Sequence, residues 1–558
     1  MYKIEKKDWL IMLAMSVIYA FIAFLNLGDT ASVRTYAALE TNASADFTIS
    51  GKLHRVSVYN GRLPSDGAFI IETSADGINY EKAGSIENLS VYAWHTADID
   101  TDAAYIRLTN TGSTLYIGET AFFDENENLL AAKSGLPELT DEQSLAAYRP
   151  TYMNGTYFDE IYHARTAWEY TNGVEAYEWT HPPLGKLIIS VGIKLFGMTP
   201  FGWRFAGTLF GVLMIPIMYL FAAELFGKRK YAFAAAFLMM FDFMHFTQTR
   251  IATIDTYAVF FIMLMYLFMY KFTKTNFNLE GTRRPIRYLF LSGLFFGLGA
   301  ASKWTCLYAG AGLAIIFFLN MYPRLRERAE HSDFWHNMFK IIISCVLFFV
   351  IIPILIYWVS YLPYAFIKGN PYSIFDVFKI QKNMFEYHSQ LKAEHFFSSM
   401  WYQWPIMYKP IWYFSGGIPE KNLVSSISAF GNPAIWWTSI PATAAMIVIM
   451  IKKRREGILL PLFILIGYAA QYLPWVGVSR VVFIYHYFTS VPFIILIIVY
   501  VMRELEGGRE GFSPAAKAYF AAVVILFIMF YPAISGMLVP KAYMKNILMW
   551  FGTWYFGG

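Results

Sequence analysis

The chain has 558 residues, of which 56% are hydrophobic, 19% aromatic and only 15% charged. Soluble domains carry about 25% charge, and here the apolar residues gather in long runs, which excludes a large soluble core as the main architecture. The net charge of +5 sits in short patches between those runs, so it reads as a topology signal and not as a nucleic-acid surface.

The first apolar run, about 9–27, follows Lys3, Lys6 and Lys7. It is too long for the core of a cleaved signal peptide and predicts an uncleaved anchor with its lysines in the cytoplasm. The next stretch, about 45–130, changes texture: short alternating runs such as Ala68–Glu72, Tyr105–Leu108 and Leu115–Ile117 are separated by Asn60-Gly61 and Asp76-Gly77. These are strand and turn signals and predict a small all-β sandwich. The apolar stretch Leu184–Phe196 is short and follows two prolines, so it predicts an interfacial helix.

A helix needs roughly 20 apolar residues to cross a bilayer. After the first, such segments fall near 203–226, 231–248, 255–270, 288–302, 305–321, 338–361, 433–451, 458–473, 482–502 and 517–537. Eleven spans place every Lys/Arg patch on one side, including Lys228–Lys230, Arg324–Arg328 and Lys452–Arg455, as the positive-inside rule requires. The N-terminus is then cytoplasmic and the C-terminus outside. Cys306 and Cys345 both lie in apolar segments, so no disulfide framework is expected.

Ionisable residues beside membrane spans are costly and mark function. They concentrate on the outer face: Asp159, Glu160 and His163; His181; Arg204; Asp242, Arg250 and Asp255; Lys303; His388 and His395; Arg480 and His486. Adjacent acids offer a general base for a hydroxyl. Arg204, Lys303 and Arg480 offer cations for a phosphate, Arg as a planar fork and Lys as a point charge. This combination fits transfer from a lipid-bound phosphate to a hydroxyl. A transporter would place its charges near the bilayer midplane and repeat its halves, and neither feature is present. The spacing of His163, His388 and His395 matches no tight metal-ligand motif.

The order of motifs resembles the protein O-mannosyltransferase family. Phe158-Asp-Glu-Ile-Tyr-His163, His181-Pro-Pro-Leu-Gly-Lys186 and Trp203-Arg-Phe205 resemble its first outer loop and second span. Phe241-Asp242 through Arg250 and Asp255, Ser302-Lys-Trp304, Tyr387-His388, His395, Trp404-Pro405, Gly431-Asn-Pro433 with Asn432, and Arg480 through Tyr487 continue the match in order. The resemblance implies a GT-C membrane glycosyltransferase that takes mannose from polyprenyl-phosphate mannose and inverts the anomeric carbon. It implies Asp159 as base, Glu160 as support for the acceptor or as a group that orients the site, and Arg204, Lys303 and Arg480 at the donor phosphate. His163, His181, Asp242, Arg250, Asp255, His388, His395, Trp404, Asn432 and His486 would bind substrate or shape the site. No soluble cofactor is implied; a divalent metal, used by other GT-C enzymes, stays open.

The fold class expected is thus a polytopic α-helical membrane protein of GT-C type with about eleven transmembrane helices and an inserted extracytoplasmic β-sandwich resembling discoidin-like, galactose-binding domains. Its divisions are a first transmembrane helix (1–30), the β-sandwich (31–140), the acidic motif and interfacial helix (141–202), transmembrane helices 2–7 (203–367), an outer catalytic loop (368–432), and helices 8–11 with an outer tail (433–558). Partners implied are exported Ser/Thr proteins, membrane lipids, and a glycan or protein on the β-domain. The late outer loop is too short for the MIR domain of eukaryotic members, which points to a bacterial plasma-membrane enzyme. The alternative is a relative that transfers another sugar to a lipid or glycan.

Overall fold

The computed structural model describes residues 1–62, 67–367, 369, 372–391, 394–455 and 457–557; Lys368, where the late outer loop was expected to begin, lies outside them. The chain divides into two compact units, one of Met1–Leu25, Glu169–Ile189 and Ala206–Gly558, the other of Asn26–Trp168 and Ser190–Phe205.

The first unit is helical. Among the described residues, nine helices are long and apolar enough to cross a membrane: Lys6–Phe24, Pro200–Phe226, Asp255–Thr273, Thr305–Glu330, Phe334–Phe366, Pro433–Lys452, Leu459–Gly477, Ile484–Glu506 and Pro514–Ser535. Two of the eleven expected segments fall short. The segment at 231–248 is two helices, Arg229–Met240 and Phe243–Thr249. Asp242 breaks it by accepting the His245 N–H at 3.0 Å, so that it starts a new helix in the middle of the apolar run. Arg283–Ser302 is a continuous helix of 20 residues, about 30 Å long, but Arg283, Arg284 and Arg287 occupy its first turns. The helix Leu184–Phe196 has 13 residues and at about 20 Å is too short to cross.

Buried polar groups tie the helices together. Asp8, fully buried at the start of Lys6–Phe24, accepts hydrogen bonds from Tyr219 Oη and Arg229 Nε, each at 2.7 Å. A hairpin of Ile411–Ile418 and Leu423–Ala429 carries a third short strand, Val539–Pro540. It was not anticipated in the aromatic-rich late loop. Trp554 Nε1 donates to the Met407 carbonyl at 2.7 Å, and the Trp554 and Phe556 rings pack on Phe430.

Among its described residues the second unit holds nine strands: β1 (Ala37–Leu39), β2 (Ser44–Ile49), β3 (Leu53–Asn60), β4 (Phe69–Ser74), β5 (Glu81–Ile86), β6 (Ala93–Thr101), β7 (Tyr105–Asn110), β8 (Leu115–Phe123) and β9 (Ala132–Ser134). They form two antiparallel sheets, β1-β8-β3-β6 and β5-β4-β7-β2-β9. Alternation drives this. On β2 every second residue, Ala45, Phe47 and Ile49, is buried, and these join Val56, Val58, Ile71, Ile106 and Phe122 in one apolar core fed by both sheets. Asp76-Gly77 is the expected turn: Gly77 takes φ +76° and Asp76 caps the Ile78 and Asn79 N–H groups. Asn60-Gly61 ends β3, and the Gly61 N–H bonds the Tyr116 carbonyl at 2.7 Å.

Glu119 is fully buried in β8 and accepts the Thr120 N–H at 3.0 Å. Burial, with Asp141 and Glu142 nearby, pushes its carboxyl up to about 7. A group with a raised folded pKa holds its proton in the native state, so its contribution is complete in acid and is lost as pH rises through about 7. Hydrogen exchange of Leu115–Phe123 should therefore show less protection at pH 8 than at pH 5, after correction for intrinsic rates. Glu119→Gln should remove most of that difference; an unchanged pH dependence in the variant would show that another group governs it.

Candidate active site

The acidic motif opens the helix Glu160–Asn172. The chain enters it through Phe158, whose φ of +49° is left-handed. That conformation costs a bulky residue about 1–3 kcal/mol and persists only where the surroundings hold it. Asp159 follows, half-buried, and its carbonyl accepts the N–H groups of Tyr162 and His163 at 3.1 and 3.0 Å. His163 is buried on the first turn.

Glu160 is fully buried and faces Arg204, which is also fully buried. Arg204 donates Nε–H and Nη2–H to the two Glu160 oxygens, each at 2.7 Å. Its Nη1 donates to the carbonyls of Leu27 and Tyr152 at 2.9 and 2.7 Å, and Nη2 to Gly155 at 2.8 Å. A guanidinium has five N–H groups, and each is taken. In this arrangement the fork expected at a donor phosphate is spent on protein acceptors. Arg204 instead fastens the acidic motif to the segment that follows the first helix. The Asp29 N–H, bonded to the Met153 carbonyl at 2.8 Å, closes the same join.

The helical unit carries a cavity of about 380 Å³ lined by Lys303, Arg480, His181 and His388, with Trp304, Tyr308, Phe385 and Trp475 as aromatic walls. Lys303 ends the helix Arg283–Ser302 and pairs with Asp255, the first residue of Asp255–Thr273, at 2.7 Å. Arg480 is half-buried and has no acidic partner among the described residues. His388 donates Nε2–H to the Thr180 carbonyl at 2.7 Å, which fixes its tautomer and leaves Nδ1 as an acceptor without a hydrogen-bond partner among the described residues. Burial and the facing His181 hold its pKa down at about 4, so the ring is neutral at physiological pH. His181 Nδ1 lies 3.0 Å from Glu178 Oε1. The fully buried Lys186 pairs with the same carboxylate and donates to the Glu178 and His181 carbonyls at 2.8 and 3.0 Å. Burial lowers the His181 pKa against the pull of Glu178.

Glu178 and the four aromatic walls are absent from the sequence-derived site. The signal for Glu178 was Lys186: a lysine within a short apolar helix requires a nearby carboxylate, and Glu178 stands eight residues before it.

The other expected residues divide by their partners. His486 packs on Trp475 at 4.5 Å between ring centroids, and so backs the cavity wall. Trp404, fully buried, stacks on His486 and donates to the Ser399 carbonyl at 3.0 Å. His395 lines a second, open cavity of about 660 Å³ that also includes Arg480. Asp242 accepts Trp436 Nε1–H at 2.9 Å, and Asn432 donates to the Phe241 and Val523 carbonyls at 2.9 and 3.0 Å. Arg250 donates to the Ala23 and Leu25 carbonyls at 3.0 and 2.9 Å, capping the first helix. Among the described residues no group of three or more His, Cys, Asp or Glu side chains is placed to hold a metal.

Residues 180–358 match the family model described as dolichyl-phosphate-mannose-protein mannosyltransferase, and residues 373–554 match that of the C-terminal four-transmembrane region of protein-O-mannosyltransferase. Together they span well over half of the chain. A polyprenol-phosphate-mannose–protein mannosyltransferase of Corynebacterium glutamicum is 28% identical over 467 residues, covering 71% of this chain and 88% of the relative. One from Mycolicibacterium smegmatis is 24% identical over 471 residues, covering 73% and 89%. In three dimensions the chain resembles a protein O-mannosyltransferase complex of Saccharomyces cerevisiae bound to the sugar donor. There the TM-score is 0.62 at 13% identity, covering 72% of this chain and 89% of that one, which shows a shared fold. Conserved fold, ordered motifs and both family models agree: the chain is a multi-pass membrane protein that belongs to the protein O-mannosyltransferase family.

Proposed function

We propose that this protein transfers mannose from polyprenyl-phosphate mannose to Ser or Thr hydroxyls of exported proteins at the extracytoplasmic face of the plasma membrane. The observation that supports it best is the cavity that joins Lys303 and Arg480 with the neutral His388. The acceptor oxygen attacks the anomeric carbon from the face opposite the phosphate. The bond from that carbon to the phosphate oxygen breaks, the configuration inverts, and the acceptor proton passes to Asp159. Polyprenyl phosphate departs with one more negative charge than it carried as the mannosyl ester. Two cations in a poorly hydrated cavity stabilise that charge where it develops. Lys303 is held in place by Asp255, while Arg480 offers a fork without a competing carboxylate among the described residues. The names of the relatives favour a protein acceptor over a lipid one.

The test is transfer from labelled polyprenyl-phosphate mannose to a Ser/Thr peptide in membranes. Arg480→Ala and Lys303→Ala should each lower kcat/KM for the donor by about a hundredfold, which is roughly 2.7 kcal/mol. Arg480→Lys should recover part of the loss because charge remains while the fork is gone. Wild-type kinetics in both alanine variants would remove the phosphate from this cavity.

A further inference from the structure

The β-sandwich unit contains a cavity of about 630 Å³ that shares no lining residue with the cavity of Lys303 and Arg480. Its lining includes Arg34, Arg62, Tyr116, Trp168 and the turn Phe196–Thr199, and, among the described residues, no Asp or Glu. Arg62 lies over the rings of Tyr116 and Trp168, with its guanidinium carbon 4.6 and 5.6 Å from their centroids. That stacking holds the planar fork in one orientation. Neither Arg34 nor Arg62 makes a side-chain ion pair among the described residues. The nearby Glu142 is occupied by the backbone N–H of Arg34 and the hydroxyl of Thr35. Two guanidiniums around a cavity that no carboxylate lines among the described residues form a site for an anion.

The floor of the cavity identifies the source of that anion. Phe196–Thr199 ends the short helix Leu184–Phe196 and leads into Pro200–Phe226, a helix long and apolar enough to span. Residues that directly precede a span lie at headgroup depth. The end of the short helix exposes Val191, Leu195 and Phe196 at 52%, 65% and 40%, an apolar rim suited to the interface of a bilayer. Sugar-binding pockets commonly offer carboxylate or amide acceptors to the sugar hydroxyls, and among the described residues this lining has none. We infer that this cavity binds the phosphate headgroup of an anionic membrane lipid, with Arg34 and Arg62 as its ligands, and so fastens the inserted β-sandwich to the membrane surface. This inference is independent of the assignment of the transfer reaction.

The test uses the full chain purified in mild detergent with phosphatidylglycerol or phosphatidylcholine. Native mass spectrometry should show the wild type retaining at least fivefold more phosphatidylglycerol than the double variant R34A/R62A, with phosphatidylcholine retention equal in both. As a measurement free of substitution, hydrogen exchange of the wild type in nanodiscs should slow at residues 32–36 and 196–199 when phosphatidylglycerol replaces phosphatidylcholine. R62K should retain an intermediate amount of lipid. Equal phosphatidylglycerol retention by wild type and double variant, or no exchange difference, would overturn the inference. So would equal protection by glycerol phosphate or inorganic phosphate at the same concentration, which would make the ligand a free anion and not a lipid.

Discussion

Asp159→Asn is expected to bind polyprenyl-phosphate mannose like the wild type and to transfer its sugar about a thousandfold more slowly. The size follows from what a positioned general base contributes, roughly a hundred- to ten-thousandfold. The substitution preserves shape: Asp159 uses its backbone carbonyl to start the helix that follows, and asparagine does the same. The fall should appear in kcat with donor KM almost unmoved, because the carboxylate acts on the acceptor hydroxyl and only in the transition state. Initial rates at saturating peptide, with donor titrated, separate the two constants. An Asp159→Asn enzyme that turns over at the wild-type rate would strip Asp159 of its role as base. Phe158→Gly provides a companion measurement. Glycine adopts a φ of +49° at no steric cost, so the variant should fold, and its rate reports how far the bulky ring at that turn holds the aspartate in place.

The second large effect concerns Arg204 and Glu160. Removing one partner of a buried ion pair leaves the other charged and without compensation, at a cost of about 3–5 kcal/mol. Arg204→Ala and Glu160→Ala should therefore each lower the thermal stability of the full chain sharply and abolish transfer. The double variant R204M/E160M replaces both charges with side chains of related volume and should recover much of the stability but little activity. A double-mutant cycle in thermal unfolding measures the coupling. A phosphate ligand would behave differently: Arg204→Lys would raise donor KM while leaving stability intact. That outcome would restore Arg204 to the donor site.

The spans were legible because a bilayer demands about 20 apolar residues in succession, and the runs at 9–27 or 433–451 are unambiguous. The break at Asp242 was hidden. One carboxylate in an apolar run looks the same whether it faces a cavity or caps a new helix, and only the bonds to His245 and Trp436 decide. The sandwich was legible through its period of two, as in Ala45, Phe47 and Ile49. Strand pairing was not: Asn60-Gly61 marks a turn but not a partner, and β3 pairs with β6 and β8. In the candidate site, Lys303, Arg480, His181 and His388 were found as isolated residues at one face and share a cavity. For Arg204 the sequence shows the charge but not the carbonyls of Leu27, Tyr152 and Gly155 to which it donates.

Those three carbonyls bear on the insert as a whole. Leu27 precedes the inserted strands and Tyr152 follows them, yet one guanidinium joins both, and the Asp29–Met153 hydrogen bond seals the neck of the insert. A loop whose ends are already stitched imposes little closure entropy on what it encloses. A foreign fold grafted at the same neck would keep that join, and would have to replace the contact that Arg62 of the present cassette makes with Trp168 of the acidic helix.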